Sequence, residues 1–380
     1  MNKKITLLIV ALLLAGVIAG AVFYKNSSPK DSVKVGFVAF PTGAFSSLGE
    51  IQLNAAKMAV ADINNEGGIN GRPLELIVED YAWDPKRAIP AYEALKLRSI
   101  KFFDIEGAPA SGILPPIIVK DGNFTMNSNT VLPSYTDGSP LTCRISLKAE
   151  DYAVAISNYL LAQVENPRIA FLAVNNDYGV SMKKSIEAIL KQQGGTIVST
   201  ELFEQSVTDF RSQATRLKEL QNQIDFLVAI NASNSTEPML KQIAQLKFSK
   251  PIVSDNWTVE NAQIKTRSLV NAIAYAGYTW AATPTTSDSA EAAAFKKRFT
   301  ETYNQPASPV VANTYDGIRL LAVGLANAPE QTPESVSNYL INTLHTYNGI
   351  GGTITFNNDC EAERSLVMRI IKDGQPIEIK

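Results

Sequence analysis

Histidine and cysteine are nearly missing from this chain. Its 380 residues hold one histidine, His345, and two cysteines, Cys143 and Cys360. That inventory speaks against clustered zinc ligands and against Ser-His or Cys-His nucleophilic chemistry. His345, in NTLHTYNG, has no acid or nucleophile identifiable beside it and reads as an exposed helix-end residue. An excess of either charge is missing too: 35 basic against 37 acidic residues give a net charge of −2. No basic patch stands out, so nucleic acid is not an expected partner. No G-x-G-x-x-G follows a strand; Gly67-Gly68-Ile69-Asn70-Gly71 is a turn rather than a phosphate cradle. No nucleotide, metal or other cofactor is therefore expected, and no enzymatic activity. A content of 45% hydrophobic and 19% charged residues is that of a globular protein, long enough for two domains.

A long apolar run is present once. Lys3 and Lys4 precede ITLLIVALLLAGVIAGAVFY, residues 5–24, and basic residues stay on the cytoplasmic side, so the remainder is read as exported. Ala19-Gly20-Ala21 offers a signal-peptidase site, whereas the length of the run suits a retained membrane anchor. Both readings stay open. No cysteine lies near the end of the run, which leaves no site for a lipid anchor. KNSSPKDS, residues 25–32, is a polar linker.

The stretch Val33 to Asp80 carries the most structural information. An apolar strand, VKVGFVAF, leads into the small-residue loop PTGAFSSLGE. A helix follows with Ile51, Ala55, Met58, Ala59 and Ile63 on one face, then Gly67-Gly68, then the strand LELIVE. This is one βαβ unit of a parallel sheet, and ligands of such sheets sit beyond the carboxyl ends of the strands. A helix from Asp84 to Leu97 is expected, with Asp84 as cap and Pro85 in the first turn. Short strands are expected at Phe102–Glu106 and Phe124–Met126, each followed by a small or polar loop. The same grammar restarts at PRIAFLAV, residues 167–174. A polar loop over 175–179, a helix over 181–193, Gly194-Gly195 and the strand 196–202 follow. Further strands are expected at 224–230, 251–254, 273–280, 352–356 and 366–371, with helices at 210–221, 237–246, 291–303 and 314–326.

Several of these segments resemble the leucine/isoleucine/valine-binding family of ABC-transporter substrate-binding proteins. They are PTGAFSSLGE with AAKMAVADINNEGGINGRPLELIVED, the NDYG loop after RIAFLAV, FRSQATRLK and NTYDGIRLLAVGL. The resemblance implies an α/β fold of two Rossmann-like lobes joined by three crossing segments, the type I periplasmic-binding-protein arrangement. It places the crossings near Thr142–Ser146, Ala276–Trp280 and Gly352–Phe356. Lobe 1 would then be residues 33–142 plus 277–351, lobe 2 residues 143–276 plus 352–380, and residues 1–32 an N-terminal signal or anchor with its linker. Two of those crossings lie beside Cys143 and Cys360, which motivates a disulfide between them; two separate thiols are the alternative. The implied function is an extracytoplasmic, monomeric binder that hands a small ligand to a membrane permease. A receptor of the same fold reporting to a signalling partner is the second reading.

The resemblance also implies site residues. The first loop offers Leu48 where an aromatic is frequent. The first-lobe loop that supplies a serine reads Ala110-Ser111, and the next loop reads Asn127-Ser128-Asn129-Thr130, from which Ser128, Asn129 and Thr130 are taken as ligand contacts. Tyr178 matches the aromatic that closes over the ligand, and Asn231 stands at a strand end. The acid expected opposite a ligand ammonium falls on Asn256, with Asp255 one residue earlier. An α-amino acid needs Asp255 to take that role; without it an amide or a small organic acid fits better, because an unpaired buried charge is costly. Each of these residues also has an ordinary structural use, as a cap, a turn residue or lobe packing.

Overall fold

Both faces of VKVGFVA are covered in the folded chain, which is why the strand lacks polar alternation. It forms β1 (Val33–Ala39) and pairs in parallel with β2 (Leu74–Asp80) and β3 (Phe102–Ile105). The structure, a computed structural model, describes residues 31–136, 139–231, 235–256, 278–282, 289–372 and 375–379. The apolar run 5–24 lies outside them. Among the described residues no helix is long and apolar enough to cross a membrane.

The first sheet has five parallel strands in the order β2-β1-β3-β4-β5, with β4 at Phe124–Asn127 and β5 at Thr142–Arg144. Helix α1 (Ser46–Asn65) buries Ile51, Ala55, Met58, Ala59 and Ile63, the face its spacing predicts. Gly67 and Gly68 then turn the chain at φ 105° and 71°. In α2 (Pro85–Lys96) the Asp84 carboxylate accepts from the Lys86 N–H at 2.9 Å, and Pro90 is carried inside the helix. Two short helices, α3 (Ala108–Ser111) and α4 (Leu114–Lys120), link β3 to β4.

The second sheet has seven strands in the order β15-β14-β10-β9-β8-β6-β7. Its parallel part is β6 (Arg168–Val174), β7 (Thr196–Phe203), β8 (Phe226–Ile230), β9 (Ile252–Asp255) and β10 (Thr279–Ala282). Around it lie α5 (Ala149–Gln163), α6 (Asp177–Gln192), α7 (Arg211–Leu220) and α8 (Thr236–Gln245). Helix α6 starts at Asp177, inside the expected loop, because the Asn176 side chain caps it by accepting from the Gly179 N–H at 3.0 Å.

The chain then returns to the first sheet with α9 (Ala290–Tyr303), α10 (Pro309–Asn327), α11 (Pro333–Asn338) and a three-stranded sheet. That sheet contains β11 (Thr346–Gly349), β12 (Gly352–Phe356) and β13 (Ala362–Glu363). Strands β14 (Val367–Lys372) and β15 (Gln375–Ile379) finish the second sheet.

Sheet membership corrects two expected crossings. Residues 279–282 belong to the second sheet, where Tyr278, Trp280 and Ala282 fill one core cluster, so the chain leaves that sheet only after Ala282. Strand β12 does not cross; Ile354 and Phe356 pack in the first sheet's core with Val35, Phe37 and Met126, and the passage follows β13.

Candidate functional site

The carboxyl ends of β3 and β4 carry the first-lobe candidates, and the geometry turns most of them inward. Gly107 makes the exit from β3 at φ 85°, where an added Cβ would lie 2.2 Å from the Tyr81 hydroxyl. Ala110 is buried in the lobe's own apolar cluster. The Ser111 hydroxyl donates to the Gly107 carbonyl at 2.8 Å and accepts from Asn127 Nδ2 at 2.8 Å. Asn127 organises the next loop: its Oδ1 accepts from the N–H groups of Asn129 at 2.7 Å and Thr130 at 2.5 Å, and its Nδ2 also reaches the Ile105 carbonyl. The Ser128 hydroxyl donates to Asp104 Oδ2 at 3.0 Å, with α10 pressed so close that a Cβ on Gly317 would fall 2.0 Å from it. Asn129 Nδ2 reaches Glu106 Oε1 at 3.2 Å and Thr314 Oγ1 at 2.8 Å. Leu48 stands apart from this network, half-buried in the first turn of α1 between two apolar clusters.

In the second lobe, Tyr178 and Asp255 come together. The Tyr178 hydroxyl donates to Asp255 Oδ2, linking the start of α6 to the end of β9. Asn231 is buried at the end of β8, and its carbonyl accepts from Thr236 Oγ1 at 3.3 Å. Asn256 is 4% exposed, and its Oδ1 has no hydrogen-bond partner among the described residues.

The two sets meet at the junction between lobes. The Thr130 carbonyl accepts from Ser146 Oγ at 2.6 Å, and the Val131 carbonyl from the first N–H of α5 at 3.2 Å. Residues 143–148 and 360–366 run side by side there. Cys143 and Cys360 are disulfide-bonded with Cα atoms 4.7 Å apart, and the Arg144 N–H donates to the Cys360 carbonyl at 2.9 Å. Arg144, buried, pairs with Glu361 and donates to the Leu132 carbonyl at 2.5 Å. Glu361 also accepts from Thr136, and from Lys148 Nζ at 3.0 Å. Burial pushes the Glu361 carboxyl up, but the Thr136 hydroxyl and the charges of Arg144 and Lys148 hold it below the usual range. Arg364 binds the carbonyls of Ile145 and Gly351 and Asn313 Oδ1, tying the second passage to both neighbours.

Sequence reasoning passed over Asp104 and Glu106. They are two residues apart on an apolar strand, so both point to the α1/α10 face, and both are fully buried. That i, i+2 pair of acids in FFDIEG was the available signal. Burial raises Asp104 to about 8, against the opposing hydrogen bond from Ser128. Its carboxyl therefore holds a proton in the folded chain at pH values where the unfolded chain has lost it, and stability falls as pH rises from about 4 through 8. Urea titrations across that range will show a falling midpoint for the native chain and a flatter profile for Asp104→Asn.

Two wound sheets, with carboxyl-end loops meeting at paired crossings, define a two-lobed binding protein of the type I arrangement. The sequence profile of the periplasmic binding proteins matches residues 32–375, and the chain belongs to that family. The Leu/Ile/Val-binding protein of Escherichia coli K12 is 29% identical over 219 residues, 57% of this chain and 58% of that protein. The chain thus matches a little over half the length of such curated relatives. Many solved structures share the fold, and two illustrate it. The branched-chain amino acid transporter substrate binding protein of Streptococcus pneumoniae, in complex with isoleucine, has a TM-score of 0.77 at 21% identity, covering 92% of this chain and 99% of that one. The ABC-transporter solute binding protein of Rhodopseudomonas palustris BisB5, in complex with 3,4-dihydroxybenzoic acid, has a TM-score of 0.81 at 19% identity, covering 92% and 97%.

Proposed function

We propose that the chain is the extracytoplasmic solute-binding protein of an ABC importer, a monomer closing on one small polar molecule and catalysing nothing. Residues 5–24 either anchor it to the membrane or are cleaved as a signal. In this reading lobe 1 comprises residues 33–144 and 289–363, and lobe 2 residues 149–282 and 367–379. The observation that carries the reading is the meeting of loop 127–131 with the start of α5 at the disulfide-pinned crossings. Closure there brings strand-end loops of both sheets onto one ligand, and binding energy drives the closed shape that a permease recognises.

The ligand class follows from the second lobe. Asp255 is engaged by Tyr178, and Asn256 offers a neutral carbonyl oxygen where an acid would meet an ammonium. An amide or a small organic acid with a donor group suits that environment better than an α-amino acid. Relatives named for branched-chain amino acids and a structural neighbour holding a dihydroxybenzoic acid mark the range to search. The test is a thermal-unfolding panel of amino acids, amides and aromatic acids on the full chain. A ligand at a hundredfold over its Kd stabilises by about 2.7 kcal/mol. We expect a neutral amide or an aromatic acid to exceed L-leucine, and Asn256→Ala to weaken its binding by about threefold to tenfold. A panel without any stabilising compound removes the transport role.

A further inference from the structure

Glu106, the residue after β3, reaches three elements at once. Its Oε2 accepts from Gln52 Nε2 of α1 at 3.0 Å. Its Oε1 accepts from Asn129 Nδ2, in the loop after β4, at 3.2 Å and from Thr314 Oγ1 of α10 at 3.4 Å. Its carbonyl accepts from the Tyr81 hydroxyl at 3.0 Å. The side chain is fully buried, and no lysine or arginine of the described residues pairs with it. The loop it holds is the one that reaches across to the second lobe through Thr130 and Val131.

We propose that Glu106 is a positioning residue of the binding site, fixing loop 127–130 against α1 and α10 so that the first-lobe half of the site is preformed. The inference deepens the proposed function and rests on its reading that this loop faces the ligand.

The geometry also sets the form in which Glu106 works. Gln52 Oε1 is buried with no partner among the described residues. Turning the Gln52 amide over presents that oxygen to Glu106 Oε2, and a carboxylic acid proton on Oε2 then donates to it. A carboxylate has no such proton. Burial pushes Glu106 well up and the neighbouring Asp104 pushes it further. The other groups facing it agree. From β3 there is Asp104, which accepts from Ser128. From the loop after β2 there is Tyr81, and from the turn after β4 Tyr135, whose hydroxyl lies 3.0 Å from Thr125 and is raised by burial and by both acids. On α10, Asp316 is turned away to the N–H groups of Ile350 at 3.0 Å and Gly351 at 2.6 Å. The charge of Arg144, on β5, is taken by Glu361. Burial outweighs the hydrogen bonds from Asn129, Thr314 and Gln52 that favour the ionised form, and no cation in this set balances an ionised Glu106, so ionisation loosens the loop.

The test is hydrogen exchange on the ligand-free full chain from about pH 5 to about pH 9, corrected for intrinsic rates. Segments 46–54, 124–132 and 308–316 are compared with β8. In the native chain, protection of the three segments falls about tenfold or more as pH rises, while β8 holds. Glu106→Gln keeps an acceptor and a donor in place and loses clearly less protection with pH than the native chain, the remaining loss following Asp104. Glu106→Ala lacks it at every pH. Asp104→Asn still loses protection with pH. The proposal is overturned if Glu106→Gln exchanges as fast as the native chain at high pH, or if β8 loses protection in parallel. Should Glu106→Ala fail to fold, the Gln profile decides alone. The ligand panel is independent: no hit there removes the transport role and leaves this exchange result standing. If benzoate or L-leucine binds, Glu106→Ala weakens it by about tenfold and Glu106→Gln by less than about twofold.

Discussion

Glu361→Ala will destabilise the folded chain by about 3–5 kcal/mol, the largest effect expected of a single side chain here. The Arg144 guanidinium is 1% exposed, and among the described residues Glu361 is the carboxylate it forms an ion pair with. Removing the carboxylate leaves that charge buried with the Leu132 carbonyl as its acceptor. It also strips Thr136 and Lys148 of their partner, so four segments at the crossing lose their common tie. Urea unfolding followed by circular dichroism measures the loss as a lower midpoint at unchanged slope. Replacing both charges, with Arg144→Met and Glu361→Leu together, should recover much of the stability, because the desolvation cost disappears along with the attraction. If Glu361→Ala unfolds at the native midpoint, the crossing is not held by this pair.

Loss of the disulfide ranks second. Cys143 and Cys360 are separated by 217 residues, so the link removes much of the freedom of the unfolded chain. A loop of that size is worth roughly 5 kcal/mol in the chain-entropy treatment, and measured values run nearer 2–4 kcal/mol. Cys143→Ala with Cys360→Ala should therefore lower stability by about 2–5 kcal/mol. The same substitution removes the covalent tie between the two crossing segments and leaves the Arg144–Cys360 backbone bond, the ion pairs of Glu361 with Arg144 and Lys148, and the Arg364–Ile145 contact. Ligand affinity should then fall as well, because the passages no longer move together. Native and alkylated-reduced protein with identical unfolding curves would contradict this.

Much of the fold was legible from residues alone. Ile51, Ala55, Met58, Ala59 and Ile63 name one helix face, and Asp84-Pro85 names a helix start, because capping and periodicity are local physics. The starts of α6 and α10 were harder. Asn176 reads as a loop residue until its side chain is seen capping, and Ser308-Pro309 opens α10 five residues before the expected Thr314. Sheet membership of 279–282 was not legible, since a buried strand carries no mark of which sheet it joins.

The site was legible in part. Loop 127–130 was picked out as polar, yet its side chains serve mostly one another, with Ser128 on Asp104 and Asn129 on Glu106. Which way a serine or asparagine points depends on partners distant in sequence, and Thr314 lies 185 residues from Asn129. The Tyr178–Asp255 bond was hidden for the same reason: the two residues were named separately and satisfy each other.

Small-angle X-ray scattering of the full chain, with and without the most stabilising compound of the panel, addresses the central claim most directly. Two lobes hinged at residues 145–148 and 364–366 predict that the radius of gyration contracts on saturation and returns when the compound is dialysed away. A radius unchanged by a compound that demonstrably binds would mean the lobes do not close on it, and the clamp would have to be abandoned.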